Sequence, residues 1–568
     1  MLTVGSLNPT GFVTKGKVEY RELRPRQEVT IEGVPKAEGH NLIGDFVNTA
    51  RRHGSRPALY VEGEHFSYEA LAQACSNIAT TILERHRLRD ELAAIFAHKS
   101  LTAYAGVLGI LASGRGYVPL NPKFPIARTR KMLLQSGCSV VVVGQECVSQ
   151  LEALLSDLPK ALTVILPEVS DIGTLASQFG DHQFVPSALL SSGPAVPMVP
   201  PTDDAAIAYL LFTSGSTGDP KGVPVGHSNV LSYLEFISKR YGVHCEDRVS
   251  QTFDLTFDLS VHDMFVCWKA GACLCCVPEA LGMAPARFIR DQQLTMWFSV
   301  PSVVSCMSRL RLLRPGLFPS LRCSLFCGEA LPEKSVVAWQ QSAPNSIIEN
   351  LYGPTEATIA ITFYRWLPSL SPSRCRNGIV PIGWPFDGQR VCIVDSHSRP
   401  VSRGETGELL LSGSQVTAGY WRDPEQTRKR YIRLADDEES IWYRTGDCVA
   451  ELEDGCVVYF GRLDNQVKIR GFRAELQEVD FVLREVTKSD EVVSVAWPVR
   501  DGSADGIEAF VACASDRDRT EILNHCRASL PDYMIPREIH FVDELPRSAN
   551  GKIDRRKLIA WLERSSNE

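Results

Sequence analysis

The sequence predicts an α/β protein: a large N-terminal domain of layered α/β subdomains with a β-rich subdomain, then a small α+β domain. Three observations carry that expectation. The chain has 568 residues, 44% of them hydrophobic, which is too long for one compact core and calls for roughly two to four domains. Short apolar strands alternate with amphipathic helices from about residue 41 to about residue 390, the pattern of layers around mostly parallel sheets. From Arg390 the pattern changes to strand-like pieces separated by turns.

In chain order, Met1 to Pro35 is polar, without the apolar run of a secretory signal, so residues 1–40 read as an N-terminal arm, disordered or an extension. Tyr68–Glu84 and Ser228–Lys239 have helical periodicity, and Val140–Val143 reads as a buried strand. Ala205–Phe212 is an apolar strand. Val391–Val394, Gly407–Ser412 and Cys456–Phe460 form the β-rich part. The polar stretch Arg462-Leu-Asp-Asn465 ends the large domain, expected over 41–463, and Asp464 is the expected hinge into a small domain over 464–568. In that domain Ala474–Glu485 and Thr520–Ser529 are helix-like, while Glu491–Val499 and Glu508–Ala514 are strand-like.

Composition excludes several classes of function. A net charge of −7 with only short basic runs argues against nucleic-acid binding. No apolar stretch reaches the length of a membrane span. The 17 cysteines lie scattered in apolar stretches, as expected of reduced, buried thiols in a cytoplasmic protein. Cys273 and Cys276 have C-x-x-C spacing, but the run Gly271–Val277 around them is apolar and no second pair accompanies them. They read as core, not as metal ligands.

Chemistry concentrates in a few motifs. Leu210-Leu-Phe-Thr-Ser-Gly-Ser-Thr-Gly-Asp-Pro-Lys-Gly-Val223 is a strand running into a loop of hydroxyls and glycines with one lysine. Small residues let backbone N–H groups approach an anion, hydroxyls add donors and Lys221 adds charge, so this is a phosphate cradle. It is not a Walker loop, because Gly222 follows the lysine. In Asn350-Leu-Tyr-Gly-Pro-Thr-Glu356 a carboxylate follows a turn, where it can hold Mg²⁺ against phosphate oxygens. In Tyr443-Arg-Thr-Gly-Asp447 a tight Thr-Gly turn can aim a carboxylate at a pair of hydroxyls. Leu545-Pro-Arg-Ser-Ala-Asn-Gly-Lys-Ile-Asp554 places Lys552 on a turn, and Gln466-Val-Lys-Ile-Arg-Gly-Phe-Arg-Ala-Glu-Leu476 reads as a basic edge strand interrupted by Gly471.

Together these motifs resemble the adenylate-forming superfamily of acyl-CoA synthetases, luciferases and the adenylation enzymes of nonribosomal peptide synthesis, over roughly residues 41–560. The resemblance implies ATP and Mg²⁺ as cofactors. Thr213, Ser214, Gly215, Ser216, Thr217 and Gly218 would bind the phosphates with Lys221. Tyr352 would stack on adenine, Thr355 would contact the α-phosphate and Glu356 would hold Mg²⁺. Asp447 and Arg462 would take the ribose. Lys552 would sit between the substrate carboxylate and the α-phosphate, where a cation neutralises two repelling anions and the charge growing at phosphorus. The small domain would be mobile, rotating about Asp464 and bringing the loop at Gly471 to the site for transfer to a thiol. Asn121 stands where the family usually has Asp.

Phe257-Asp-Leu-Ser-Val-His-Asp-Met-Phe265 bears on the substrate. In amino-acid-activating members an Asp at the position of Asp258 binds the α-ammonium group; the plainer alternative is a helix-capping Asp. The pocket implied is Asp258, Leu259, His262, Ser299, Leu325, Cys327, Leu351, Ile359 and Ala360, closed by Lys552. Its aliphatic walls imply a small substrate, with His262 and Ser299 as polar handles. Leu325-Phe-Cys-Gly-Glu-Ala-Leu331 is similar to stand-alone D-alanine–carrier protein ligases, from which His262 departs because they usually have Met there. Alanine is the first expectation, with serine, glycine and cysteine open. Only sixteen residues follow Lys552, so the acceptor is expected to be a phosphopantetheinylated carrier protein supplied in trans. The rival readings are an acyl-CoA synthetase using free CoA and a non-catalytic nucleotide-binding module.

Overall fold

Two large, mostly parallel sheets form the body of the protein. The computed structural model describes residues 41–86, 91–203, 206–214, 219–463, 466–489, 491–500, 503–512, 518–547 and 553–565. Among these, a seven-stranded sheet runs Gln183–Pro186, Thr163–Leu166, Val140–Val143, Leu92–Phe96, Gly116–Leu120, Ile207–Thr213, Lys221–Gly226. All neighbours are parallel except the last pair, where Thr213 lies opposite Lys221. A nine-stranded sheet has Cys273–Cys276, Arg248–Gln251, Met296–Ser299, Cys323–Phe326 and Ile347–Tyr352 as its parallel centre.

The helices form where caps and periodicity coincide. Ser67 starts Tyr68–Arg85 by accepting from the Ala70 N–H, and Ser100 does the same for Leu101–Ala112 through Ala103. His227–Tyr241 stops at Gly242, whose left-handed φ of 53° costs glycine little. Leu259–Ala270 is buried on all sides from Leu259 to Trp268, its polar Ser260, His262 and Asp263 included. It sits in a core that also holds Leu211 and Val223 of the first sheet and Leu274 and Phe298 of the second.

From Arg390 a separate antiparallel sheet follows, with Arg390–Val394, Thr406–Ser412, Asp437–Glu451, Tyr431–Leu434 and Val457–Arg462. The smaller C-terminal domain opens with the hairpin Gln466–Ile469/Phe472–Glu475. Its centre is the sheet of Val492–Ala496, Ile507–Ala512 and Pro536–Val542, packed with Leu476–Thr487 and Arg519–Ser529.

Most expected elements are present with ends displaced by a residue or two, but two differ in kind. The helix expected over Ala474–Glu485 begins at Leu476, because Ala474 and Glu475 complete the hairpin. The Thr-Gly turn expected before Asp447 lies inside a continuous strand, as a bulge with Gly446 at φ 75°. The cysteines read as core are core: Cys273, Cys275 and Cys276 are buried, and the Cys276 thiol donates to the Tyr104 hydroxyl. Among the described residues no helix is long and apolar enough to cross a membrane. Residues 1–40 lie outside the described residues, as do Asp464 and Lys552.

Candidate active site

The C-terminal ends of both parallel sheets and the small domain's hairpin converge on one cavity of about 150 Å³, where open α/β sheets place their ligands. Thr213 and Ser214 border it where the first sheet ends; Gly215, Ser216, Thr217 and Gly218 lie outside the described residues. The loop's return strand starts at Lys221, whose ammonium lies 5.1 Å from the Tyr420 ring. Burial pulls the Lys221 pKa down, and nearby Arg473 adds to that.

The strand Ile347–Tyr352 delivers the second motif. The Tyr352 hydroxyl donates to one oxygen of Asp447, and Arg462 donates to the other at 2.8 Å. The bulge before Asp447 is pinned: the Thr445 hydroxyl donates to the Leu409 carbonyl at 2.7 Å, and the Gly446 N–H donates to Glu408. A bulge re-aims a side chain without breaking the sheet. After Pro354 a single 3₁₀ turn, Thr355–Ala357, carries Glu356 fully buried. One Glu356 oxygen accepts from the Tyr420 hydroxyl at 2.8 Å and the other from Arg473 at 3.0 Å. Burial alone would raise this carboxyl, but Arg473 and Lys221 outweigh it and hold it at about 2. An ionised hard-oxygen donor beside a phosphate-type loop is the donor Mg²⁺ requires.

Asp258 precedes the buried helix Leu259–Ala270, yet its side chain makes no capping bond there. Its carboxylate instead accepts from the Ile359 N–H at 3.2 Å and from the Thr355 hydroxyl. Burial raises it to about 6 against those two donors. The Ile359 N–H is in reach because Thr358 and Ile359 both adopt left-handed backbone, at φ 56° and 71°, a costly conformation for β-branched residues. Gln415 staples this turn: its side-chain amide N–H donates to the Ala360 carbonyl at 2.7 Å and the Thr358 carbonyl at 3.3 Å, while its backbone carbonyl accepts from the Thr358 hydroxyl at 2.6 Å. Gln415 belongs to no motif and was not expected at the site.

Leu259, Cys327 and Leu351 line the cavity with Asp258, while Leu325, Ile359 and Ala360 are buried in the same core. The two polar handles do not stand as expected. The Ser299 hydroxyl accepts from the Trp297 indole at 2.9 Å and donates to the Val300 carbonyl at 3.2 Å. Strand alternation puts Ser299 on the face of Trp297, away from Phe298, the ring that packs on His262 at 4.5 Å. His262 is bonded through Nδ1 to the Tyr233 hydroxyl at 2.6 Å, and burial lowers its pKa to about 3, so it is neutral. Neither borders the cavity.

The small domain completes the enclosure with Gln466, Lys468, Gly471, Arg473 and Tyr533. Gly471 has φ 91°, and a Cβ there would lie 2.9 Å from a Val300 methyl carbon, so both conformation and space require glycine. Phe472 packs edge-on against Phe257 at 4.9 Å and stacks on Tyr533 at 4.2 Å. Lys468 is half-buried, its pKa lowered by desolvation and then by Arg473. Arg128 and Glu478 form a buried ion pair joining the domains.

The AMP-binding enzyme family model matches residues 46–421, and the model of that enzyme's C-terminal domain matches residues 478–552. The chain belongs to the AMP-binding enzyme family. It is 31% identical to an L-proline–[L-prolyl-carrier protein] ligase of Pseudomonas fluorescens, over 91% of this chain and 98% of that one. It is 33% identical to surfactin synthase subunit 2 of Bacillus subtilis over 97% of this chain, but spans only 15% of that much longer relative. Among solved structures it is similar to the Vibrio cholerae adenylation domain AlmE in complex with glycyl-adenosine-5'-phosphate, with a TM-score of 0.82 and 31% identity, covering 95% of this chain and 99% of that one.

Proposed function

We propose that the protein activates a small amino acid with ATP as the aminoacyl adenylate and passes the aminoacyl group to the phosphopantetheine thiol of a separate carrier protein. The observation that carries this reading is Asp258. It is a buried carboxylate at the cavity wall, turned away from its own helix and hydrogen-bonded to two neutral donors, with the Lys468 charge a weaker influence on it. A carboxylate so placed is stabilised by an incoming cation, and the α-ammonium of an amino acid is such a cation. A fatty or aryl acid offers none.

In the first step the substrate carboxylate attacks the α-phosphorus of ATP, one P–O bond forms, and the bond to pyrophosphate breaks. Thr213, Ser214 and Lys221 hold the phosphates. Asp447, steadied by Tyr352 and Arg462, takes the ribose hydroxyls, and Asp258 fixes the ammonium so that the carboxylate faces phosphorus. Glu356 would hold Mg²⁺, which supplies positive charge against the triphosphate. Lys552 is assigned the charge at the reacting centre. In the second step the carrier thiolate attacks the aminoacyl carbonyl and AMP leaves. The presence of Gly471 and Lys468 at the cavity supports a small domain poised for that step, with Asp464 as the pivot between the two arrangements.

Alanine is the favoured substrate, with glycine next and serine or cysteine behind. Leu259, Leu351 and Cys327 crowd the space next to Asp258, and the commitment of His262 and Ser299 elsewhere weakens the case for a hydroxyl or thiol. Pyrophosphate exchange across a panel of D- and L-amino acids, with matching amine-free acids, tests the reading. Exchange with amino acids alone supports it, and exchange with fatty or aryl acids alone replaces it with an acyl-CoA synthetase.

A further inference from the structure

One face of the small domain's central sheet carries charge up to the edge of an apolar core. Val493, Val495, Phe510, Leu558 and Leu562 pack there under the helix Arg555–Ser565. Strand alternation puts Glu508 on the face of Phe510, and Glu538 and His540 share a face of the neighbouring strand. In the parallel register Glu508 lies beside Glu538, and Phe510 beside His540. Carboxylates side by side on neighbouring strands repel, and a buried one calls for a counter-charge. Glu508 is only 7% exposed. Among the described residues its carboxylate has one hydrogen-bond partner, His540 Nε2, at 3.1 Å. Arg519 approaches Glu538 at 3.9 Å, where both side chains are exposed.

The three groups converge: one carboxylate oxygen from each glutamate and a ring nitrogen of His540 lie within 4.8 Å of one another. The imidazole is held in place by its stack on Phe510 at 4.9 Å and its edge contact with Trp561 at 5.2 Å. Zinc takes nitrogen and oxygen ligands at about 2.0–2.2 Å, which sets tetrahedral ligand atoms about 3.4 Å apart. Glu508 and His540 already meet that spacing, and the exposed side chain of Glu538 is free to swing in. We propose that Glu508, Glu538 and His540 bind a divalent transition-metal ion of the zinc class, with water in the fourth position. The ion replaces the bond between His540 and Glu508, releases its proton and supplies the counter-charge that the paired carboxylates lack. It ties the central strand Ile507–Ala512 to the edge strand Pro536–Val542, beside the helix that follows the loop of Lys552. None of the three residues borders the cavity at Asp258, so the site is independent of the adenylation reading.

The test is calorimetric titration of Zn²⁺ into the metal-stripped full-length chain without nucleotide. Wild type is compared with Glu508→Gln, His540→Gln and Glu538→Ala, each first checked for an unchanged unfolding profile without metal. One saturable site is expected in the wild type, weakened at least about tenfold in Glu508→Gln and His540→Gln and several-fold in Glu538→Ala. Zn²⁺ should also raise the wild-type unfolding temperature, and raise it less in all three variants. Co²⁺ in place of zinc should give a visible spectrum without the thiolate charge-transfer band that cysteine ligation produces. No saturable binding by the wild type would make Glu508 and His540 a plain hydrogen-bonded pair and overturn the proposal. Equal affinity in wild type and variants, or a thiolate band, would place the metal on cysteines and overturn it too. If the two buried-side variants do not fold, Glu538→Ala at its exposed position decides, and unchanged affinity there overturns the site.

Discussion

At the scale of single residues, the two carboxylates of the site are tuned in opposite directions by one rule. Glu356 and Asp258 are both buried, but Glu356 has Arg473 and Lys221 beside it and lies at about 2, whereas Asp258 is countered chiefly by an N–H and a hydroxyl, with Lys468 a weaker influence and Glu356 opposing it, and lies at about 6. In the proposed function the substrate ammonium binds the ionised form of Asp258, present above about pH 6. As pH falls through that value the free enzyme takes up a proton there, and the amino acid must displace it. The KM for the amino acid should therefore climb towards tenfold per pH unit below about 6, with kcat nearly flat and the KM of the amine-free analogue unmoved; parallel slopes for both substrates would separate Asp258 from amine recognition. Asp258→Ala should cost amino-acid use roughly 2–5 kcal/mol, the penalty of an unpaired buried ammonium, while the analogue loses little.

Gln415 acts one step further out. Without its amide the left-handed turn at Thr358 and Ile359 loses its tether, and the Ile359 N–H drifts from Asp258. Gln415→Ala should raise the KM for the amino acid several-fold and leave the KM for ATP in place. An equal rise in both would point to general loosening.

At the scale of elements, the hairpin that enters the cavity depends on its two-residue turn. Arg470 and Gly471 both have positive φ, 50° and 91°, as a tight hairpin turn matching the strand twist needs. Gly471→Ala adds a methyl against Val300 in a conformation alanine resists. It should slow transfer to a holo carrier protein at least tenfold while pyrophosphate exchange stays near wild type, as measured in separate half-reaction assays. Comparable loss in both assays would show that the loop serves no single step.

At the scale of the whole molecule, the proposed cycle needs the small domain in two places. Asp464→Pro should impair transfer more than adenylation, because proline fixes φ and resists rotation. Lys552→Ala should do the reverse, lowering adenylation by about 10²–10³-fold with ATP still bound by calorimetry. Wild-type exchange rates in that variant would remove Lys552 from the chemistry.

Much of this was legible in the chain, because local signals carry it. Helical periodicity and a short apolar run placed Tyr68–Arg85, Val140–Val143 and His227–Tyr241 to within a residue or two. The loop at Thr213, the segment at Glu356 and the bulge at Asp447 are contiguous stretches whose residue types state their chemistry. Three things were not legible, since each depends on contacts between distant positions. Whether Ser299 faces the cavity is decided by strand register, and Trp297 claims its hydroxyl. Gln415 matters because the fold carries it 55 positions back to the Ala360 carbonyl. Arg473 reads as one more charge on a basic strand until domain packing sets it on Glu356. Sequence by itself therefore determined the elements, the motifs and the class of chemistry, which follow from local conformational preference and side-chain type. Tertiary structure alone decided which buried charges face each other, because that free energy exists only once distant segments share one water-poor interior.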